Sequence, residues 1–321
     1  MDGILNLNKP KGWTSHDVVA YVRRLTHIQR VGHAGTLDPM ATGVLLVCLG
    51  RATRIVEYLM QGRKHYRAEL CLGISTDSHD AAGAVTATAP VRVDRTDVER
   101  ALSRFQGSIQ QVPPMVSAIK RDGQPLYKLA RRGITVERAA RTVEIDEITL
   151  TDWQPPNLTL ELICSPGTYV RALARDLGQQ LGCGAHLTAL TRLASGNFAL
   201  SEAITLEQFA AAVSPHENSP ENAPSGLDES PISAANHSPG WHDLVMPIDA
   251  GLKHLPACAL GAQESRRIRS GQALPAELIQ TPQDQLCRAY AVYDNDQKLL
   301  ALLKFDAGAQ LWRPHKVFDP L

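Results

Sequence analysis

Gly32-His33-Ala34-Gly35-Thr36-Leu37-Asp38-Pro39-Met40-Ala41-Thr42-Gly43 surrounds one carboxylate with small residues and turn-formers, then runs into the apolar Val44-Leu45-Leu46-Val47. The pattern predicts a loop carrying Asp38 immediately before a buried strand. Glycine lets a backbone turn tightly and lets a planar ligand approach it, and Pro39 fixes the dihedral after the acid. An isolated Asp-Pro pair ordinarily caps a turn. The length and composition of this run point instead to a carboxylate held in place for use.

On the N-terminal side, Ile4-Leu5-Asn6-Leu7 alternates as a strand does and ends at Lys9-Pro10. Ser15 then stands where it can cap a helix presenting Val18, Val19, Val22 and Leu25 on one face. On the C-terminal side, Tyr66 to Leu72 alternates with period two, the pattern of a strand with one face buried. Thr96 to Glu99 reads as a capping box for a helix carrying Val98, Ala101, Leu102 and Phe105. Strands and helices do not alternate regularly enough for a doubly wound parallel sheet. The expected fold class is α+β, a mixed and largely antiparallel sheet with flanking helices, and no internal repeat is visible.

With 321 residues and 44% hydrophobic content, the chain can bury a substantial core and is long enough for about two domains. No apolar run reaches the roughly 18 residues of a membrane helix, and Met1-Asp2-Gly3 opens no signal peptide. A cytoplasmic protein is the expectation. Cys48, Cys71, Cys164, Cys183, Cys258 and Cys287 include no CxxC pair and read as buried thiols, neither disulfides nor zinc ligands.

The formal net charge of zero conceals an asymmetry. Residues 1–142 carry 21 Lys+Arg against 12 Asp+Glu, and residues 143–321 carry 12 against 21. A field of that sign over the first part attracts a polyanion such as nucleic acid. Residues 211–240 hold five prolines, several serines and scarcely any large apolar residue, so they cannot bury enough surface to offset their ordering entropy. They are read as a flexible linker or insertion between a domain at 1–210 and a smaller one at 241–321. In the latter, Ala289–Tyr293 and Leu299–Phe305, separated by Asp294-Asn295-Asp296, predict a hairpin of a small β domain.

Ser165-Pro166-Gly167-Thr168-Tyr169-Val170-Arg171 follows the strand-like Leu160-Glu161-Leu162-Ile163 and leads into a helical run, which puts an arginine at a strand-to-helix junction. Beside a buried carboxylate such a guanidinium keeps the acid ionised and aims its oxygens. Gly182 to Arg192 is a second glycine-rich turn, read as a loop entering a core strand. Lys120, Arg121, Lys128, Arg131, Arg132, Arg138 and Arg141 cluster around Tyr127, a pattern suited to phosphate-backbone contact. His33 and Asp38 lack the paired ligands of a zinc site, and neither a phosphate loop nor GxGxxG occurs. The chemistry is expected to come from ordinary side chains, with no metal and no cofactor.

Lys9-Pro10, the Gly32–Gly43 run, Lys64-His65-Tyr66, Gln111-Val112-Pro113-Pro114 with Ser117-Ala118-Ile119-Lys120, Gly167-Thr168-Tyr169-Val170-Arg171 and Gly182-Cys183-Gly184-Ala185-His186-Leu187 occur in that order across about residues 1–200. Together they resemble the TruB family of tRNA pseudouridine synthases. The tail around Ser270-Gly271-Gln272 and Leu311–Phe318 resembles, more weakly, the small RNA-binding PUA-like domain that many members carry.

The resemblance implies a pseudouridine synthase fold and isomerisation of uridine 55 in the T-loop of tRNA by base flipping, without a cofactor, in a monomer whose partner is tRNA. By similarity Asp38 is the nucleophile, acting at ribose C1′, at base C6, or in an elimination through C2′. Arg171 would pair with it. Tyr66 would stack on the base and serve as general base, although a phenol with a pKa near 10 needs help from its surroundings to accept a proton. Tyr169 and Leu190 would line the pocket, and His33 would engage the RNA as the uridine flips out. Lys64, Lys120, Lys128, Arg131, Arg132 and Arg141 complete the expected substrate contacts.

Two departures stand out: Val116 occupies a position where members often have tyrosine, and the 211–240 stretch is longer than the usual connection. A tRNA-binding protein that refolds RNA without chemistry would share the same basic surface and would tolerate loss of the Asp38 carboxylate. A carboxylate-dependent glycosidase would need a second carboxylate beside Asp38, and the sequence offers no convincing partner.

Overall fold

The structure, a computed structural model, describes residues 1–117, 120–121, 123–126, 129, 132–134, 136–213, 240–279 and 289–319. The first part runs β1 (Gly3–Lys9), α1 (Ser15–Thr26), β2 (Val31–Ala34), β3 (Thr42–Leu49), α2 (Val56–Gln61), β4 (Lys64–Leu72), β5 (Ile74–Thr76), β6 (Val85–Thr88), α3 (Arg95–Leu102) and β7 (Gly107–Gln111). It continues through the short β8 (Lys120–Arg121) and β9 (Gln124–Pro125) to β10 (Arg141–Gln154), β11 (Asn157–Cys164), α4 (Val170–Gln180), β12 (Ala185–Ser195), β13 (Phe198–Ala199), β14 (Ile204–Thr205) and α5 (Leu206–Val213).

Ten of these strands form one sheet in the order β14-β1-β3-β12-β4-β11-β10-β7, with β2 added to β3 and β13 to β12. Its contacts are antiparallel except β1 with β14 and β3 with β12. The mixed, largely antiparallel sheet expected from the sequence is therefore the one observed.

β3 lies inside this sheet, and its apolar run is covered on both faces. Val44, Leu46 and Cys48 pack with Ile4, Ile55, Tyr58 and Leu59. Leu45, Val47 and Leu49 pack on the opposite side with Leu5, Leu7 and the Val18, Val19 and Val22 stripe of α1. The strand period of two sends successive residues to opposite faces, so a continuous apolar run suits a doubly covered strand. A third cluster joins β4, β10, β11 and β12 to α3 and α4 through Leu70, Leu102, Ile145, Leu160, Leu173 and Leu177.

Two helix starts differ from the sequence reading. Thr14, not Ser15, caps α1 in a reciprocal box with Asp17. Ser15 is instead drawn to the Asp38 loop, where its hydroxyl meets the Leu37 backbone. α3 begins at Arg95 behind the Asp94 cap, with Asp97 closing the box in place of Thr96 and Glu99. Several adjacent cap-formers compete at each start, and tertiary contacts choose among them.

A second sheet of five strands has the order β15-β17-β18-β19-β16, from β15 (Ala257–Ala259), β16 (Leu274–Pro275), β17 (Tyr290–Tyr293), β18 (Leu299–Asp306) and β19 (Leu311–Val317). The helix α6 (Ala262–Arg269) packs on it through Ile268, and Trp312 fills its core. β17 and β18 form the predicted hairpin. The two sheets share a core: Ala289, Ala291, Leu302 and Phe318 of the smaller meet Ile4, Leu46 and Leu59 of the larger.

The observed boundaries shift the expected division of the chain. Residues 211–213 complete α5, and Trp241, Leu244 and Val245 pack with Leu5 and Phe209 of the large body. Phe209 and Trp241 meet edge to face with centroids 6.3 Å apart. The chain thus leaves and rejoins the same body across residues 214–239, which lie outside the described residues and hold most of the Pro/Ser-rich stretch.

Candidate active site

The loop between β2 and β3 is tied to the turn that precedes α1. Lys9 is wholly buried beneath it and donates to the carbonyls of Pro10, Trp13 and Pro39 at 2.9, 2.6 and 3.4 Å. Gly12 N–H donates to Pro39 O at 2.7 Å, and Leu37 N–H donates to Ser15 Oγ at 2.9 Å. Desolvation pulls the Lys9 ammonium down to about 8. Gly35 turns the loop with φ +88°, a region that favours glycine. Asp38 is left with its carboxylate partly open, 36% exposed.

Arg171 arrives from the other half of the sheet. β11 ends at Cys164, a turn through Gly167 follows, and α4 starts one residue before Arg171. Gln111, buried at the end of β7, fixes that start by accepting from Tyr169 N–H at 2.8 Å and donating to Tyr169 O at 3.1 Å. Arg171 is 3% exposed. Its Nε is 2.9 Å from Asp38 Oδ2 and its Nη2 is 3.1 Å from Oδ1, a two-pronged contact.

A buried cation at a helix N-terminus opposes the helix dipole and needs compensation. Nη2 donates to Val116 O at 2.7 Å, Nη1 donates to Ser78 O at 3.3 Å, and Nη1 lies 3.4 Å from the buried carboxylate of Asp80. Asp80 is held by Ser78 Oγ at 2.6 Å and by Ala82 N–H at 3.0 Å. Asp80 is thus a structural carboxylate behind Arg171 and does not line the cavity as the second acid of a glycosidase would. It grips the arginine and leaves the cavity side of that group to Asp38. Burial pushes the Asp38 carboxyl above its usual value and Asp80 adds to the rise, while Arg171 opposes both.

A cavity of about 270 Å³ opens over these groups, lined by Asp38, Lys64, Tyr66, Tyr169, Arg171, Leu190 and Arg192 among others. Tyr66 and Arg192 are cross-strand partners in the β4–β12 pairing. Burial raises the Tyr66 phenol above 10.0, and the charge and hydrogen bond of Arg192 act against that rise. Lys64 caps the carbonyl end of α2, donating to Met60 O at 3.3 Å and Gly62 O at 2.6 Å, and desolvation draws it down to about 8.

Of the expected site residues, Asp38, Tyr66, Arg171, Tyr169, Leu190 and Lys64 converge on this cavity. His33, in β2, does not line the cavity; its ring stands edge-on to His16 at 5.2 Å and its Nδ1 is buried without a hydrogen-bond partner. Burial, followed by the charges of His16 and Arg192, depresses it to about 4. Arg132 and Arg141 are exposed. Lys128 and Arg131 lie outside the described residues, as does the side chain of Lys120. The sequence reading missed Asp80, which resembles one more turn-former in Thr76-Asp77-Ser78-His79-Asp80, and passed over Arg192 as part of a core strand.

The profile described as the TruB family pseudouridylate synthase N-terminal domain matches residues 23–170, and that of the tRNA pseudouridylate synthase B C-terminal domain matches residues 171–253. The tRNA pseudouridine synthase B of Pseudomonas aeruginosa (strain UCBPP-PA14) is 45% identical over 276 residues, covering 86% of this chain and 84% of its own. That of Dehalococcoides mccartyi (strain CBDB1) is 40% identical over 319 residues, covering 99% and 97%. This chain belongs to the TruB family.

A solved Cbf5-Nop10-Gar1 complex contains a chain of the same fold, with a TM-score of 0.74, 25% identity, and coverage of 99% of this TruB chain and 85% of that one. The boundary between the two TruB profiles falls between Val170 and Arg171. Asp38 and Tyr66 therefore come from one profile and Arg171, Leu190 and Arg192 from the other, and the site exists only where the two meet. Among the described residues of this TruB chain no helix is long and apolar enough to cross a membrane.

Proposed function

We propose that this chain isomerises uridine to pseudouridine at position 55 in the T-loop of tRNA, with Asp38 as the attacking group. The observation that carries the reading is the half-open Asp38 carboxylate, gripped through both oxygens by buried Arg171 on the wall of a cavity that also holds Tyr66. The relatives are named as tRNA pseudouridine synthases B, which gives the reaction and the RNA class.

The net change breaks N1–C1′ and forms C5–C1′. The proton on C5 is lost and N1 gains one. No electrons are exchanged with an outside reagent, so the atoms balance with no added oxidant or reductant. Asp38 must be ionised to attack, and Arg171 supplies the charge that keeps it so against burial. The cavity is recessed between protein walls, so the base must leave its stack to enter, and Tyr66, Tyr169 and Leu190 offer it apolar surface once there.

In this reading Lys64 closes the floor, His33 meets the RNA at the entrance, and Lys120, Lys128, Arg131, Arg132 and Arg141 contact its backbone. The large body, residues 1–213 with 241–252, is the catalytic part, and the smaller sheet adds RNA-binding surface. The protein acts as a monomer without metal or cofactor.

The test is pseudouridine content at single-nucleotide resolution in an unmodified tRNA transcript incubated with wild type or Asp38→Asn. Conversion of one T-loop uridine by wild type alone is expected. Tight binding without conversion by either protein would overturn the reading in favour of an RNA chaperone.

A further inference from the structure

Arg192 is 1% exposed. Its Nε donates to Val44 O at 2.7 Å and its Nη2 to Gly35 O at 2.9 Å, and no carboxylate pairs with it among the described residues. Val44 lies near the start of β3, the strand that follows the Asp38 loop, and Gly35 lies within that loop. Tyr66 is its partner across β4 and β12 and a fellow wall residue of the cavity, and the guanidinium acts on the Tyr66 phenol through its charge and a hydrogen bond. Arg171, by contrast, is matched by two carboxylates. A fully buried guanidinium with only neutral partners among the described residues is costly, and it is spared that cost when an anion forms beside it.

We infer that Arg192 is a positioning residue that holds Tyr66 as a transient phenolate during the proton exchange that completes the isomerisation. The inference rests on the proposed reaction and on Tyr66 as its proton acceptor. Isomerisation removes one proton from C5 and adds one to N1. A neutral phenol cannot take the C5 proton unless it first gives up its own. Tyr66 gives its hydroxyl proton to N1 of the detached base, and the oxygen so charged lies against Arg192. The C5=C6 π pair then forms the bond from C5 to C1′ with release of Asp38 as the carboxylate, and the phenolate removes the C5 proton. The C5–H electron pair restores the C5=C6 double bond, and Tyr66 is again a phenol.

Burial alone disfavours the phenolate, and Arg192 is the group that acts against that penalty. The same guanidinium holds Gly35 and Val44, so the proton acceptor and the nucleophile loop are referred to one rigid point.

Single-turnover rates on a full-length tRNA transcript with protium or deuterium at uridine C5 would test this in wild type, Arg192→Gln and Tyr66→Phe. Arg192→Gln keeps donors for the two carbonyls and removes the charge. Its rate is expected to fall about 10²-fold, with transcript affinity unchanged and a C5 deuterium isotope effect larger than that of wild type. Replacing tyrosine with the more acidic 3-fluorotyrosine should restore part of the rate. A purely structural Arg192 would move neither the isotope effect nor the fluorotyrosine response, and that result overturns the inference.

Should Arg192→Gln fail to fold, Arg192→Lys carries the same two measurements with a smaller effect in the same direction and the same criterion. Full turnover by Tyr66→Phe would show that the underlying assignment of Tyr66 is at fault. An inactive Tyr66→Phe together with an unresponsive Arg192→Gln would sink the role of Arg192 alone.

Discussion

Asp80 and Asp38 hold one guanidinium through different nitrogens: Asp80 Oδ2 is 3.4 Å from Nη1 of Arg171, while Asp38 takes Nε and Nη2. Asp80 is buried and engaged on its other oxygen by Ser78 and Ala82. Its charge sets where Arg171 lies, and Arg171 sets where Asp38 points. Asp80→Asn should therefore slow single-turnover pseudouridine formation by about 10²-fold, the scale of a small misplacement of a reacting group. Transcript affinity should stay the same. A variant with full turnover would remove Asp80 from this chain of contacts.

The pH dependence has a definite sign. Burial places the Asp38 carboxyl above its ordinary 3.8. In the proposed reaction turnover needs the ionised form, so it should be lost as pH falls through that raised value. Arg171→Lys keeps a charge but loses the two-pronged contact, which weakens the pull on the carboxyl. The acid limb of the rate profile should move to higher pH than in wild type, and a shift to lower pH would contradict the geometry.

Gly178 lies in α4, where alanine ordinarily stabilises a helix by about 0.5–1 kcal/mol over glycine. Here a Cβ would stand 2.1 Å from Ala185 N and 2.4 Å from Gly184 C, both backbone atoms. Gly178→Ala should lower stability by about 1–3 kcal/mol, the ordinary cost of overpacking. Chemical denaturation would show it, and a gain would mean that the turn into β12 yields more easily than its packing implies.

The described residues on either side of 214–239 pack on one body, where Phe209 meets Trp241. Loop-closure cost grows only with the logarithm of length, so replacing the segment with a short Gly/Ser connection should change stability by about 1 kcal/mol or less. Turnover should be preserved. A large fall in turnover would assign the segment a part in the reaction.

Much of the site was legible because its residues sit in short motifs with strong local signatures. Asp38 is framed by glycines and a proline, and Arg171 follows Gly167-Thr168-Tyr169. Asp80 and Arg192 were not legible for opposite reasons. Asp80 lies among turn-formers that need no tertiary explanation, and its function appears only when Arg171 reaches it from a distant helix. Arg192 lies in a strand whose neighbours are mostly apolar, and only the register with Tyr66 gives its charge a purpose. The helix starts slipped for a local reason: Ser15 is as good a cap as Thr14 until the Leu37 backbone claims its hydroxyl.

The apolar contact between the two sheets bears on how the molecule comes apart. Leu46, on the strand that follows the Asp38 loop, is backed by residues that include Leu302 and Phe318 of the smaller sheet, and Arg54 Nη1 donates to Val317 O at 2.5 Å across the same boundary. Peeling the smaller sheet away would wet the reverse side of the strand that anchors the Asp38 loop. Heat should consequently melt both sheets in a single calorimetric transition, and a protein cut back to the larger sheet would lose the rigidity of its Asp38 loop.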